Sequence, residues 1–231
     1  MKRALFLCLT LTMTGSLLAA DSSSKEEVKA TAKKLVEAGN YTWKTTVEFG
    51  NFTGTTEGKT DKGGVVWLSM AFGDNTTEAV RKGEKWAVKT PDHEWQSLSD
   101  LEKEAGSDPG PQQFLIRRLQ NFKTPAAEAA ELPDKAAELT KDGDAYSGKL
   151  TDAGAKELLA FGRRAAEPKN AKGSVKLWTK AGGLSKYEVK LQGTMQFNGE
   201  DRDIDRTSTT EFKDVGTTKI EIPEAASKKL S

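Results

Sequence analysis

Histidine and cysteine are almost missing from this chain, with one of each, His93 and Cys8, in 231 residues. Most zinc sites draw on His or Cys ligands, so zinc chemistry is effectively excluded. A Ser-His-Asp or Cys-His device would have to use His93. That residue sits in Pro91-Asp-His-Glu-Trp95, which reads as a solvated turn. An excess of one charge is also lacking: Lys and Arg total 35 against 34 Asp and Glu, a formal net charge of +1. A strongly basic nucleic-acid binder and a polyanionic tail protein are both excluded by that balance. No phosphate-cradling glycine motif appears, because the glycines fall in hairpin turns. Hydrophobic residues make up only 36% of the chain, but five Trp, nine Phe and three Tyr supply core material and argue against disorder.

The one long apolar run is N-terminal. Lys2 and Arg3 precede the stretch from Ala4 to Leu18, and small residues follow at Ala19 and Ala20. This is the layout of a secretory signal peptide cleaved near Ala20. The run is shorter than the ~20 residues a membrane-spanning helix needs. Cys8 lies in mid-run and not at the cleavage point, so a lipoprotein anchor is not expected. Removing residues 1–20 takes away the one cysteine and two positive charges, leaving 33 basic against 34 acidic residues, a balance of −1. A periplasmic or secreted bacterial protein without a disulfide is the resulting expectation.

Beyond the leader, Ser24 to Ala38 reads as a helix, with Ser24 and Glu27 at capping-box spacing and Val28, Ala32, Leu35 and Val36 forming an apolar stripe. The period then changes from 3.6 to 2. Strands are expected over 41–49, 54–61, 65–72, 77–82 and 85–90, joined in sequence order as an antiparallel meander that is wet on one face. The middle, 97–162, reads as a mostly helical insertion or lid, with helices at 98–105, 111–122 and after Thr151, and helix or linker at 124–135. A short hairpin joins 136–141 to 145–150. Strands return at 172–180, 187–197, 202–212 and 217–222, with Asn198-Gly199 as a hairpin signal. The expected fold is therefore α+β and mostly β, one antiparallel sheet of about eleven strands with helices at the start and in the middle.

Two features of the 200–212 strand carry chemistry. Asp201, Asp203 and Asp205 alternate in a way that suggests calcium, but the turn glycine and closing Glu of an EF-hand loop are missing, and alternation points them to solvent. On the other parity, Arg202, Ile204, Arg206, Ser208, Thr210 and Phe212 share a face opposite a strand rich in Val, Leu, Met and Phe. An Arg206 turned toward an apolar concavity needs a partner such as backbone carbonyls or a ligand head group. Alternatively, strand twist carries it to the rim.

Several segments together resemble a known family. Tyr41-Thr-Trp-Lys-Thr-Thr-Val-Glu-Phe49 is similar to the first strand of the LolA/LolB/LppX-like periplasmic lipoprotein and lipid carriers. Lys82-Gly-Glu-Lys-Trp86 with Asp92-His-Glu-Trp95 resembles their Gly-x-x-Trp hairpin and second tryptophan. The run from Gly173 to Tyr187 is similar to their Trp-containing strand and Gly turn, and Phe212-x-Asp214-x-Gly216 with Ile220-x-Ile-Pro223 to their C-terminal end. The resemblance spans most of 24–226 and includes no catalytic motif. It implies an open β half-barrel (residues 21–231 as one domain) whose apolar concave face is covered by helices and shields acyl chains. The residues implied to line that cavity are Trp43, Val47 and Phe49; Leu68, Met70 and Phe72; and Trp86 and Val88. To these are added Leu115 and Leu119 from the helices, and Val189, Leu191, Met195, Ile204, Arg206 and Phe212 from the last strands. The implied function is a soluble, non-enzymatic, monomeric carrier of a lipid or lipoprotein acyl chain. It would need no cofactor or metal, bind no nucleic acid, and admit a transient membrane-protein partner. The alternative is an interaction or envelope-sensor module whose half-barrel is filled by its own helices. A carboxylate hydrolase ranks third.

Overall fold

A computed structural model describes residues 16–106, 110–160, 167–197 and 199–231. Most of the leader, the turn residue Asn198 and the expected helix stop Gly162 lie outside the described residues. Among the described residues the fold is α+β, with one open antiparallel sheet of eleven strands and six helices, not closed into a barrel. Helix α1 (Ser16–Ala38) starts earlier than the capping box implies. Leu17, Leu18, Ala19 and Ala20 are strong helix formers and extend the helix N-terminally, so Ser24 is internal and the expected cleavage point falls within α1. The helix ends at Gly39, whose φ of 69° is the left-handed conformation glycine adopts without steric cost. Val28, Ala32 and Leu35 are buried as the stripe predicts, whereas Val36 is exposed.

The chain then lays down β1 (Tyr41–Phe49), β2 (Phe52–Thr60), β3 (Val66–Phe72), β4 (Asn75–Lys82), β5 (Lys85–Thr90) and β6 (His93–Ser97) as a meander. His93 pairs with Thr90 across a two-residue turn, so it opens a strand and does not sit in a loop, though it is exposed. Helices α2 (Leu98–Ala105), α3 (Pro111–Gln120) and α4 (Pro125–Lys135) connect β6 to the far edge of the sheet. The stretch left open as helix or linker is thus helical, with Thr124 capping the Ala127 amide and Pro133 tolerated in the last turn. Strands β7 (Thr140–Asp142) and β8 (Ala145–Lys149), helix α5 (Asp152–Ala160), and strands β9 (Lys169–Lys180), β10 (Gly183–Phe197) and β11 (Glu200–Lys213) complete the sheet. Thr151 caps α5 by accepting from the Gly154 amide at 3.0 Å. The strand order, 6-5-4-3-2-1-11-10-9-8-7, is two meanders fused where β1 pairs with β11.

The expected strand at 217–222 does not form. Ile220 and Ile222 instead lie on the convex face with Ala226 and Leu230, around helix α6 (Glu224–Lys229). They cover Val65, Val80, Ala87 and Trp95, forming a second core opposite the main one. The number of strands matches the expectation because β6 takes the place of that segment. The sheet is accordingly wet on its convex face only away from β3–β6. Among the described residues, no helix is long and apolar enough to cross a membrane.

Candidate functional site

Register divides the concave face into rows that run across the strands. At the closed end, Leu68, Gly58, Trp43 and Phe212 are neighbours across β3, β2, β1 and β11. Gly58 is required there, because a Cβ would lie 2.1 Å from Cζ2 of Trp43. The Trp43 ring stacks on Phe122 at 6.4 Å, and Trp86 meets Phe122 edge-on at 5.6 Å. The Arg81 guanidinium lies over both Trp86 and Phe122. Helix residues Val28, Ala32, Ile116, Leu119, Ala126 and Ala129 fill the remaining space over this end and the middle of the sheet.

The next row is polar. Thr56, Thr45, Thr210 and Tyr187 are register neighbours across β2, β1, β11 and β10. Thr45 and Thr210 share a hydrogen bond of 2.8 Å between their hydroxyls. Above one end of this row, Arg118 of α3 donates to Thr56 Oγ1 at 2.9 Å. Above the other, Tyr187 donates to Glu128 Oε2 of α4 at 3.0 Å. Burial pushes the Glu128 carboxyl up; the Tyr187 hydrogen bond and the Arg118 and Lys123 charges oppose this, and Glu131 reinforces it. Yet the Glu128 residue is exposed to solvent. Both observations hold for a carboxyl in a recess that water reaches and protein surrounds. Burial likewise lowers the pKa of the Arg118 and Arg206 guanidiniums, with the Glu128 charge opposing the shift in each.

Beyond the hydroxyl row, Gly54, Val47, Ser208 and Val189 form a row of small or medium side chains. Phe52, Phe49, Arg206 and Leu191 form the last row that crosses all four strands, beyond which β10 and β11 continue alone through the pairs Gly193–Ile204 and Met195–Arg202. Phe52 stacks on Phe72 at 5.6 Å, and Gly54 leaves room for both rings, since a Cβ there would sit 3.3 Å from each. Arg118 lies over the Phe72 ring, and Phe114 stands one helical turn before it. Phe49, Phe52, Phe72 and Phe114 are each 40–42% exposed, an aromatic rim that no described element covers. Arg206 donates to the Leu158 carbonyl of α5 at 3.1 Å. Thr45, Val47, Ser208, Leu115, Arg118, Leu158 and Arg206 are all half-buried, so water reaches the concave face of β1 and β11 where α3 and α5 flank it.

The residues implied to line an acyl cavity therefore separate into two groups. Val47, Phe49, Phe72, Leu115, Ile204 and Arg206 reach solvent on the concave face or at the rim. Trp43, Leu68, Met70, Trp86, Val88 and Leu119 are at most 5% exposed and packed against helix side chains. Val189, Leu191, Met195 and Phe212 are likewise buried. Arg206 faces inward as its parity requires and takes a backbone carbonyl as partner. On the convex side, Asp201, Asp203 and Asp205 accept from Lys169, Thr194 and Gln192 respectively. Among the described residues, no group of three or more acidic, His or Cys side chains is placed to hold a metal. Sequence reasoning missed Arg118, Glu128 and the rim residues Phe52 and Phe114. Arg118 left a signal, a cation inside the Leu115–Leu119–Phe122 stripe. Glu128 left none, because α4 brings it over β10 by tertiary packing alone. Comparison with protein-family models and with curated proteins finds no match to this chain.

Proposed function

We propose that this protein is a non-enzymatic periplasmic binding protein or carrier for an amphipathic lipid or lipoprotein acyl chain, as its resemblance to the LolA/LolB/LppX-like carriers implies. The observation that carries this reading is the half-buried concave surface of β1 and β11 beside four exposed phenylalanines. Exposed aromatic rings beside such a surface favour an apolar guest, whose burial gains ~0.8 kcal/mol per CH₂. The region open to a guest is smaller than a hollow half-barrel would offer, because α1, α3 and α4 already occupy the closed end. The same packing favours a second reading, an interaction or envelope-sensor module with a self-filled half-barrel that uses the aromatic rim as a contact surface.

Native mass spectrometry after gentle purification separates the two. The carrier reading predicts a co-purifying lipid mass and displacement of a fluorescent fatty-acid probe. A clean apo mass with no probe binding leaves the interaction module.

A further inference from the structure

A polar trough runs along the convex face of β9 and β10, on the side of the sheet away from the main core. Two grooves open to solvent, of about 490 and 410 Å³, follow one another there. Register explains both the trough and its direction. Ser147 and Ser174 occupy successive rows, each among longer side chains: Ser147 beside Lys176 and Glu188, Ser174 between Lys149 and Lys190. Short side chains within a field of long ones leave a depression on a pleated sheet. The next rows, Lys172–Gln192–Asp205 and then Thr194–Asp203, line the second groove. At its far end the β9–β10 register shifts between Gln192 and Thr194, and Asn170 lines the groove at a left-handed φ of 52°. From Lys176 to Asn170 the trough is about 20 Å long at ~3.4 Å per residue.

The charges in it are unevenly engaged. Lys190 pairs with Glu188 at 3.3 Å, and Lys176 lies over the Trp178 ring at 4.9 Å. Asp203 accepts from Thr194, and Asp205 from Gln192. Lys149 and Lys172 flank Ser174, one across the ladder and one along β9, and neither makes an ion pair or a side-chain hydrogen bond among the described residues.

We infer that the trough binds an extended glycan bearing carboxylate sugars, with a carboxylate at Lys149 and Lys172 and sugar hydroxyls along Glu188, Gln192, Asp203 and Asp205. This site is separate from the concave face and does not rest on the carrier reading. Its mixed charge selects the polymer. Protein carboxylates accept hydrogen bonds from sugar hydroxyls, whereas a nucleic acid or an acidic peptide would bring a negative charge against them at each step. A peptide cannot add as a strand either, because β9 and β10 are each paired on both sides.

Calorimetry with a galacturonate hexamer, cellohexaose, polyglutamate and an oligothymidylate tests the assignment. Two solvent-screened ion pairs, one at each lysine, should favour the galacturonate hexamer over cellohexaose by about fivefold. Polyglutamate and oligothymidylate should bind more weakly than the galacturonate hexamer. Lys149→Gln and Lys172→Gln together should abolish the preference, and Ser174→Gln, which fills the floor, should weaken both glycans. Lys82→Gln makes the same charge change at the β4–β5 turn and should alter neither. Unchanged melting temperatures show that the variants are folded. Equal affinity for the two hexamers overturns the carboxylate seat. Polyglutamate or oligothymidylate binding as tightly as the galacturonate hexamer, or an equal loss with Lys82→Gln, overturns the glycan assignment in favour of a general cationic surface. No binding of either glycan at millimolar concentration overturns the site itself.

Discussion

Trp43 shows how one residue sets the limit of the site. Its indole occupies the space above Gly58 and closes the concave face at that row. Gly58→Ala should force the ring aside and cost about 1–3 kcal/mol by overpacking, measured by chemical denaturation. Glu128 gives a pH-dependent prediction. Its carboxyl titrates above the ordinary range because burial outweighs the Tyr187 hydrogen bond and the Arg118 and Lys123 charges, with Glu131 adding to the rise. The folded state therefore holds the proton more tightly than the unfolded chain. The resulting stability is fully present below the unfolded carboxyl pKa and is lost as pH rises through the folded one. Glu128→Gln should raise the melting temperature at neutral pH and flatten its decline between mildly acidic and neutral pH. At this scale the inward parity of Arg206, Ser208 and Thr210 was legible from alternation. The pairing of Arg118 with Thr56 was not, because it depends on where a helix lands after crossing the sheet.

At the scale of elements, alternation located most strands because one face is buried and the other wet. It failed where both faces are buried or where a segment packs without pairing. The 217–222 segment has strand-like alternation, but its Ile220 and Ile222 are half-buried by lying flat on the convex face, which selects the same pattern without ladder hydrogen bonds. Trp95 belongs to that second core, and this is why 93–97 is a strand where a turn was expected. Leu230→Ala should cost about 2 kcal/mol and expose Val65 and Val80, detected as increased binding of an apolar dye. Thr151→Ala removes the cap of α5 and should cost about 1 kcal/mol, with faster amide exchange in that helix. Since α5 flanks the half-buried concave surface, the same variant should weaken binding of the fatty acid dodecanoate more than other substitutions of equal cost.

For the whole molecule, an open eleven-stranded sheet with helices over its concave face follows from reading period-2 segments in order and helical segments between them. What the period cannot supply is which edge each meander presents. Here the α2–α4 connection carries the chain from the β6 edge to the β7 edge, so β1 and β11 meet at the centre of the sheet. That arrangement places the hydroxyl row and Arg206 in mid-sheet, on the concave surface that α3 and α5 flank. The central claim is that a ligand occupies this surface while the filled end stays filled. Hydrogen exchange with and without dodecanoate tests it most directly. Protection confined to α3, α5, the outer half of β1 and 204–210 of β11 is the predicted result. Loss of protection in α1 and α4, as expected if those helices lift to expose Leu68, Met70 and Trp86 to the guest, would contradict it.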